Sequence, residues 1–573
     1  METEAQIKAR STSSVQACQS CKADFSIEPE DFKFYEKIKV SAPTWCPSCR
    51  LKRRLSWQGY QILYKRKCDF TAEEVITTHH PDSPHKVYRQ DIWWSDKWDP
   101  ASYGREIDWS RPFLEQFGEL LRDVPLPALY AEHSSMVRSD YCNAASECKD
   151  CYLCFRITDG EDCAYLNLVS DVKGCIDCSY NRHDQQAYGN VITHSSYQTF
   201  FCEDVVGSMN MWFCRSCVGC SDCIGCANLN KKKYHIFNQP YSKEEFKKIV
   251  KEYDFGSVKN LEEFRNKAMA FLLTQPRKQF NDRASVDTSG EYVYNSKNVQ
   301  DSYMVRKAKD CRYCHFIKEG PAANCYDYTL FGGGAELVYE SSWVGDNVSD
   351  IKFSVWNYGA TNLEFCFGCH SSNNLFGCVC IRKGEYYILN KKYSKEEYLE
   401  ITDKLRKQMM EIPYIDKLGR KYFYGEMLPS ELSPWTYNES SGMEWFPLSK
   451  EQALKEGFGW RDAEAKDYQN ATVEIPEHIR NVEDSILKEI LKCETCGKNY
   501  RLIKMELDFY RRFNLPVPRN CPLCRDRART KLLNPIEIHD RQCAKCGKDI
   551  KTSWSKEKPE IVYCAECYKK EVY

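Results

Sequence analysis

Twelve of the chain's cysteines stand in six Cys-x-x-Cys pairs, and pairs of that kind leave few folds open. They group two by two along the chain: Cys18/Cys21 with Cys46/Cys49, Cys493/Cys496 with Cys521/Cys524, and Cys543/Cys546 with Cys564/Cys567. One Cys-x-x-Cys puts two thiolates on a single tight turn. Two such turns complete a tetrahedral S₄ shell with no position left for water or substrate. The spacing therefore predicts three structural zinc ions and no catalytic one. Each can contribute on the order of 10 kcal/mol to the folding of a small module.

The first two groups are copies of one another. Adding 475 to Cys18, Cys21, Cys46 and Cys49 gives Cys493, Cys496, Cys521 and Cys524. The same shift pairs Phe25 with Tyr500, Phe34 with Phe509, Tyr35 with Tyr510, Pro43 with Pro518, Arg50 with Arg525 and Arg54 with Arg529. A shift held over that much chain is duplication. The stretches CQSCKADF…DFKFYEK…PTWCPSCRLKRR and CETCGKNY…ELDFYRR…PRNCPLCRDRAR resemble treble-clef or zinc-ribbon domains over about forty residues each. The resemblance is carried by the CPxCR end and the central Phe-Tyr pair. It implies a metal-stabilised module with no activity attached, and the whole-chain pattern resembles bacterial proteins that carry several such ribbons.

The shift runs on into the next segment, pairing Cys68 with Cys543, Val75 with Ile550, Pro84 with Pro559 and Tyr88 with Tyr563. The other ligand positions are gone: Cys546, Cys564 and Cys567 face Thr71, Arg89 and Ile92. Residues 68 to about 95 thus read as a ribbon that has lost its metal. His79, His80 and His85 do not replace the missing positions, and Trp93, Trp94 and Trp98 read as a substitute core.

The middle of the chain, roughly 136–400, is rich in cysteine, punctuated by Gly, Asn, Asp and Ser, and poor in helical periodicity. Cys151, Cys163 and Cys175 are spaced by twelve, as are Cys142, Cys154, Leu166 and Cys178, then Cys202, Cys214 and Cys226, and Cys366 and Cys378. Asp350, Asn362 and Asn374 keep the same step. A fixed interval with small residues in register marks stacked coils, here of twelve or about 24 residues. This middle is doubled too: Tyr234–Phe246 (YHIFNQPYSKEEF) resembles Tyr386–Tyr398 (YYILNKKYSKEEY). Each copy ends in a Ser-x-x-Glu capping box and so should finish in a helix. Cys214, Cys217, Cys220, Cys223 and Cys226 invite an iron–sulfur or further zinc reading. The twelve-residue register already accounts for Cys214 and Cys226 as core positions, where free cysteine behaves as a small hydrophobe.

These signals predict a multidomain, mainly β chain, with small treble-clef or zinc-ribbon modules at both ends of a central parallel β-helix-like solenoid in two blocks, joined by short helical linkers. The boundaries are 1–64 for the first ribbon, 65–135 for the metal-free ribbon and a linker, and 136–240 for the first solenoid block. A helical spacer over 241–290 and the second block over 291–393 follow. A helical linker occupies 394–492, with a short helix opened by Ser449 and another over about 477–492. The second ribbon spans 493–535 and the third 536–573. Gly332-Gly333-Gly334 lacks the lysine of a nucleotide-binding loop and reads as a turn of the solenoid.

In treble-clef geometry the second Cys-x-x-Cys opens a short helix. Its basic residues here are Arg50, Lys52, Arg53 and Arg54 in one copy and Arg525, Arg527, Arg529 and Lys531 in the other. Arginines on a rigid metal-anchored helix suit phosphate contacts; alternatively they offset the −2 charge of a Cys₄ centre and form a solvated face. With a formal net charge of −1 over 573 residues there is no global field for polyanions, so any such surface is local. Met1–Ser14 has no apolar core of a secretory signal, and no stretch approaches the roughly 18 apolar residues of a membrane helix. Thirty-three cysteines in such a chain point to metal and packing in a reducing cytoplasm rather than to disulfides. The expectation is a non-enzymatic zinc-binding scaffold contacting RNA, a ribonucleoprotein or another protein, with no membrane and no small-molecule substrate identified. The rivals are a β-helix carbohydrate enzyme using Asp140, Asp162, Asp301 and Asp327, which also read as turn residues, and a metal-cluster or redox protein using the central cysteines.

Overall fold

The computed structural model describes residues 13–462 and 468–572. Most of the Met1–Ser14 segment, and residues 463–467 of the linker, lie outside the described residues. The chain is mainly β and forms two compact units, each built from two separated stretches: Met1–Ala128 with Phe280–Asp462, and Leu129–Gln279 with Ala463–Tyr573.

In the second unit the strands Asn143–Tyr152, Phe155–Ala164 and Asn167–Lys173 pair in parallel at a constant offset of twelve, Asn143 facing Phe155 and Phe155 facing Asn167. Single bridges carry the same offset onward, Ala164 to Ile176 to Tyr188 to Phe200. The strands Tyr197–Phe200, Met209–Trp212, Ser221–Ile224 and Lys233–Ile236 complete the ladder. The repeat is therefore twelve residues and not 24.

The backbone explains the number. Every third residue is left-handed: Asp150, Leu153, Arg156, Asp159 and Asp162 have φ between 49° and 54°. Each turns the chain, so a side is three residues long and four sides make one twelve-residue turn. That conformation costs an L-residue roughly 1–2 kcal/mol and is tolerated best by Gly, Asn and Asp, which accounts for the punctuation in the sequence. The residue after each left-handed one points inward, as with Cys151, Cys154, Ile157 and Cys163, all buried.

The same geometry explains the cysteines. The N–H after an inward residue joins the ladder (Ala164 to the Cys175 carbonyl), and so does that of the left-handed residue (Tyr165 to Tyr152). The inward residue's own N–H turns to the interior, where a polar or sulfur side chain one turn earlier, when present, accepts it. Cys202 donates to Asn190 Oδ1 at 2.8 Å, Ser196 to Asp184 Oδ1 at 2.9 Å, Cys220 to Ser208 Oγ at 3.0 Å and Cys226 to Cys214 Sγ at 3.4 Å. Thiols in turn donate to the carbonyl two residues back, Cys163 to Glu161 at 3.1 Å and Cys214 to Trp212 at 3.2 Å. A buried N–H without a partner costs about 1–3 kcal/mol. Small side chains with a polarisable or polar atom close to the backbone (Cys, Ser, Asn, Asp) meet that demand where Val or Leu cannot.

Asp184 is the one carboxylate among these inward positions of the second unit's ladder. It is fully buried and accepts from the Ser196 N–H and the Thr193 hydroxyl. Burial raises its carboxyl from 3.8 to about 7, against the lowering effect of those donors. The folded chain then holds a proton that the unfolded chain releases from about pH 4 upward. Stability from this group is full below pH 4, falls as pH rises to about 7, and is flat beyond. The span is on the order of 4 kcal/mol. Asp184→Asn keeps an acceptor and a donor in place, so it should flatten this slope and raise the melting temperature at pH 8. Parallel melting curves for the two proteins between pH 4 and 8 would contradict this account.

The first unit repeats the ladder over Val286–Ile388, with offsets of 12 from Ser349 onward and of 13 or 14 between Arg312 and Lys352. The network closes on itself, since Lys297–Arg306 pairs with both Ala308–Arg312 and His315–Glu319, and both meet Tyr326–Gly332. Gly332, Gly333 and Gly334, all at positive φ, turn the chain into Ala335–Gly345. Cys366 and Cys369 donate inward to Ser354 Oγ and Asn357 Oδ1 as in the other unit. Each ladder is followed by a helix opened by a capping box, Lys243–Glu252 after Ser242 and Lys395–Glu411 after Ser394. A further helix, Val258–Leu273, lies in the spacer, and Ser449 opens Lys450–Lys455.

The expected helix over 477–492 is absent. Two short 3₁₀ turns, Ile479–Asn481 and Asp484–Lys488, stand there instead. Ile479, Val482 and Ile486 are buried at helix-like spacing. The carbonyls nearby are taken by arginines of the segment 493–524: Arg519 donates to Ile475 and Pro476, and Arg511 to Val482 at 2.8 Å. Tertiary donors have replaced the helical ones.

Candidate metal centres and their seats

Each cysteine group begins on a hairpin and ends at a helix N-terminus. Ser14–Ala17 pairs with Asp24–Ile27 to carry Cys18 and Cys21, and Cys46 caps the helix Pro47–Leu55. Leu491–Lys492 and Asn499–Tyr500 carry Cys493 and Cys496, with Cys521 capping Pro522–Thr530. His539–Gln542 and Asp549–Thr552 carry Cys543 and Cys546, followed by Ala565–Val572 after Cys564. The turns are closed by left-handed residues, Lys22, Gly497 and Gly547.

In all three groups the four sulfurs lie within 4.8 Å of one another. Facing sulfurs are 3.7 Å apart for Cys21 and Cys46, 3.8 Å for Cys496 and Cys521, and 3.9 Å for Cys546 and Cys564. A tetrahedral S₄ shell with metal–sulfur bonds of about 2.3 Å has edges of about 3.8 Å. The donor set fits a metal ion of that kind. Backbone amides prepare the thiolates: Cys46 N–H donates to Cys18 Sγ at 3.2 Å and Cys564 N–H to Cys543 Sγ at 3.3 Å. Burial raises the Cys543 and Cys493 thiols, but the amides around them prevail and bring them to about 6 and about 7.

The basic residues after these knuckles are not where a solvated nucleic-acid surface needs them. Arg50, Arg53 and Arg54 are at most 1% exposed. Arg50 and Arg54 grip the two oxygens of buried Asp327 at 2.8 and 2.9 Å, and Arg54 also reaches Glu340. Arg53 pairs with Glu340 and with Glu426. In the other copy Arg525 and Arg529 grip Asp177 at 2.8 and 3.0 Å. Lys52 is half-buried against Glu456, while Arg527 and Lys531 are exposed. The expectation of phosphate contacts through Arg50, Arg53, Arg54, Arg525 and Arg529 is thus corrected: their charges are already matched by ladder and linker carboxylates inside each unit.

The two seats correspond residue for residue at the gripped aspartate and its neighbours. Arg54 Nε donates to Thr329 Oγ1 at 3.0 Å, and Arg529 Nε to Ser179 Oγ at 3.1 Å, in both cases two residues after the gripped aspartate. Arg50 lies 5.2 Å over the Tyr313 ring and Arg525 4.8 Å over Tyr165. Phe34 stacks on Tyr326 at 4.0 Å with Tyr35 beside Tyr339, and Phe509 and Tyr510 both pack on Tyr188. The N-terminal four-cysteine module therefore sits on the later ladder, and the module at 493–524 on the earlier one. The sequence carried a signal that two of these arginines share a task, though not of the partner each one takes. The duplication keeps Arg50 and Arg54 as Arg525 and Arg529, whereas Lys52 and Arg53 become Arg527 and Ala528. The two retained arginines are those that grip the ladder aspartate, whereas Arg53, which reaches Glu340 and Glu426, is not retained.

The third group is seated in its own unit. Val562–Tyr563 pairs with Arg277–Lys278, Arg277 lies 4.6 Å over the Trp554 ring, and Tyr568 donates to Asn228 Oδ1 at 2.9 Å. The segment around Cys68 keeps the same hydrogen bonds without a ligand set. Cys68 N–H donates to Glu73 as Cys543 does to Lys548, and Asp69 to Val87 as Ala544 does to Val562. Arg89 N–H donates to Cys68 Sγ where Cys564 N–H donates to Cys543 Sγ. His79 stacks on Trp435 and His85 contacts the Leu121 carbonyl. Burial pushes both imidazoles down, His85 to about 4. Trp93 is buried against Trp94, Trp98 and Trp356.

Cys214, Cys217, Cys220 and Cys223 fill all four inward positions of one turn, yet they do not form one of the convergent groups found among the described residues. Each donates to a backbone carbonyl. Of the four acidic residues a carbohydrate enzyme would use, Asp327 is held by the arginines and Asp301 by Arg312, while Asp140 is exposed in the turn before Asn143–Tyr152 and Asp162 is an exposed ladder position. No helix among the described residues is long and apolar enough to cross a membrane.

No protein-family model matches the chain, and no curated protein matches it at a significant level. Among solved structures it is matched to a "putative acetyltransferase" from Desulfovibrio desulfuricans G20, at 12% identity over 48% of this chain and 63% of that one. The TM-score is 0.09, far below that of a shared fold.

Proposed function

We propose that the chain is a non-enzymatic zinc-binding scaffold that contacts RNA or a ribonucleoprotein. In this reading the ladders are parallel β-helix-like solenoids and the cysteine modules are treble-clef or zinc ribbons that clamp them. The observation that carries it is the seat shared by the two duplicated modules, in which a four-thiol centre orients a helix so that two arginines close on one ladder aspartate. The chemistry of the centres supports a structural role, since four thiolates at tetrahedral spacing leave no open position for a substrate. Thiols that donate to backbone carbonyls throughout the ladders suit a reducing compartment such as the cytoplasm.

Metal content per chain, measured by plasma mass spectrometry on protein purified without added metal, tests the reading. Three zinc ions and no iron are expected. Four or more metal ions, or stoichiometric iron, would assign metal to the ladder thiols and replace the scaffold with a metal-handling or redox protein.

A further inference from the structure

With Arg525 and Arg529 buried on Asp177, a dense group of exposed positive charge in the second unit lies elsewhere. Lys231, Lys232 and Lys233 stand at the last turn of its ladder, and Lys243, Lys247, Lys248 and Lys251 on the helix that follows. All seven are exposed, and none is ion-paired among the described residues. The helix buries Phe246, whose ring meets Tyr234 at 5.7 Å, so strand and helix form one surface. Lys243, Lys247 and Lys251 recur every fourth residue, about 6 Å apart along one row of that helix. Glu244 is the carboxylate that shares this side. Tyr241, 37% exposed, lies between the two lysine groups in sequence, its N–H bonded to the Tyr234 carbonyl.

The other unit is an internal control. Its segment 383–404 repeats 231–252 in structure: the same short antiparallel pairing, the same bond from Tyr393 N–H to Tyr386, and the same capping box at Ser394. Yet Gly384, Glu385, Leu399, Glu400 and Asp403 replace Lys232, Lys233, Lys247, Lys248 and Lys251. Seven lysines against three glutamates become five lysines against five carboxylates. The fold does not need the charge, so the charge answers to something outside it.

We infer that this face of the second unit binds single-stranded nucleic acid, its lysines contacting successive phosphates and Tyr241 offering a ring on which a base stacks. The inference rests on the reading of the chain as an RNA-contacting scaffold and names its surface. Lysines without base-edge readers hold a backbone with no sequence preference.

The test is fluorescence anisotropy of the full, metal-loaded chain with a labelled oligouridine of about 20 nucleotides, between about 50 and 200 mM KCl. The combined variant Lys233→Glu/Lys247→Glu/Lys251→Glu should weaken binding at least tenfold and reduce the salt slope by about 2, at roughly 0.7 for each phosphate no longer neutralised. Tyr241→Ala should weaken it by roughly fivefold or more. Lys391→Glu/Lys392→Glu in the first unit should stay within twofold. Zinc content and melting temperature of each variant report whether it has folded. Wild-type protein that fails to bind at low salt would overturn the RNA reading as a whole. Binding that survives the triple charge reversal would overturn this surface alone, as would a preference for duplex over single strand.

Discussion

Chelating the metal from the full chain is expected to loosen all three cysteine modules while the ladders persist. Each centre draws its four thiols from a hairpin and a helix that are joined at the sulfurs, and a metal bound there contributes on the order of 10 kcal/mol per site. Without it, like-charged thiolates 3.7–3.9 Å apart must take up protons or separate. The Pro47–Leu55 and Pro522–Thr530 helices then lose the anchor that aims their arginines. Limited proteolysis after chelation should cut first within 13–60 and 491–572, with the cysteine-filled ladders surviving longer. Equal resistance before and after metal removal would show that the modules do not depend on it.

The second large effect concerns the seats. Asp327→Asn should destabilise the first unit by about 3–5 kcal/mol, because it leaves Arg50 and Arg54 buried with only Glu340 to share. Asp177→Asn should do the same to the second unit through Arg525 and Arg529. Lys52→Ala removes a half-exposed pair with Glu456 and should cost under about 1 kcal/mol. Chemical denaturation read separately for each unit checks all three. Similar small shifts for the aspartate variants would mean that the seats are wet enough to solvate a lone guanidinium.

What was legible in the sequence was whatever repeats. The four-cysteine groups and the twelve-residue step recur often enough that spacing alone reveals them, and the Ser242 and Ser394 caps declare their helices locally. The fate of the arginines was hidden because their partners are single residues: Asp177 and Asp327 sit at left-handed ladder positions where aspartate is also the ordinary turn residue. The helix expected over 477–492 failed for a related reason. Its apolar spacing was right, but Arg511 and Arg519, which claim the neighbouring carbonyls, lie some thirty to forty residues further on. The choice of ladder by each module could not be read from spacing, since both modules keep the two gripping arginines and both ladders offer an aspartate at a left-handed position.

The interleaving of the two units sets a timetable for synthesis. Arg50 leaves the ribosome 277 residues before Asp327, its partner, and Asp177 leaves 352 residues before Arg529. At about 5–20 residues per second the first interval lasts roughly 15–55 s. Throughout it the nascent N-terminal module displays three unmatched guanidiniums and the Phe34–Tyr35 pair to its surroundings. A Cys₄ module that can load its metal early is stable enough to wait, and the growing chain must keep that sticky face from other partners until its own ladder arrives.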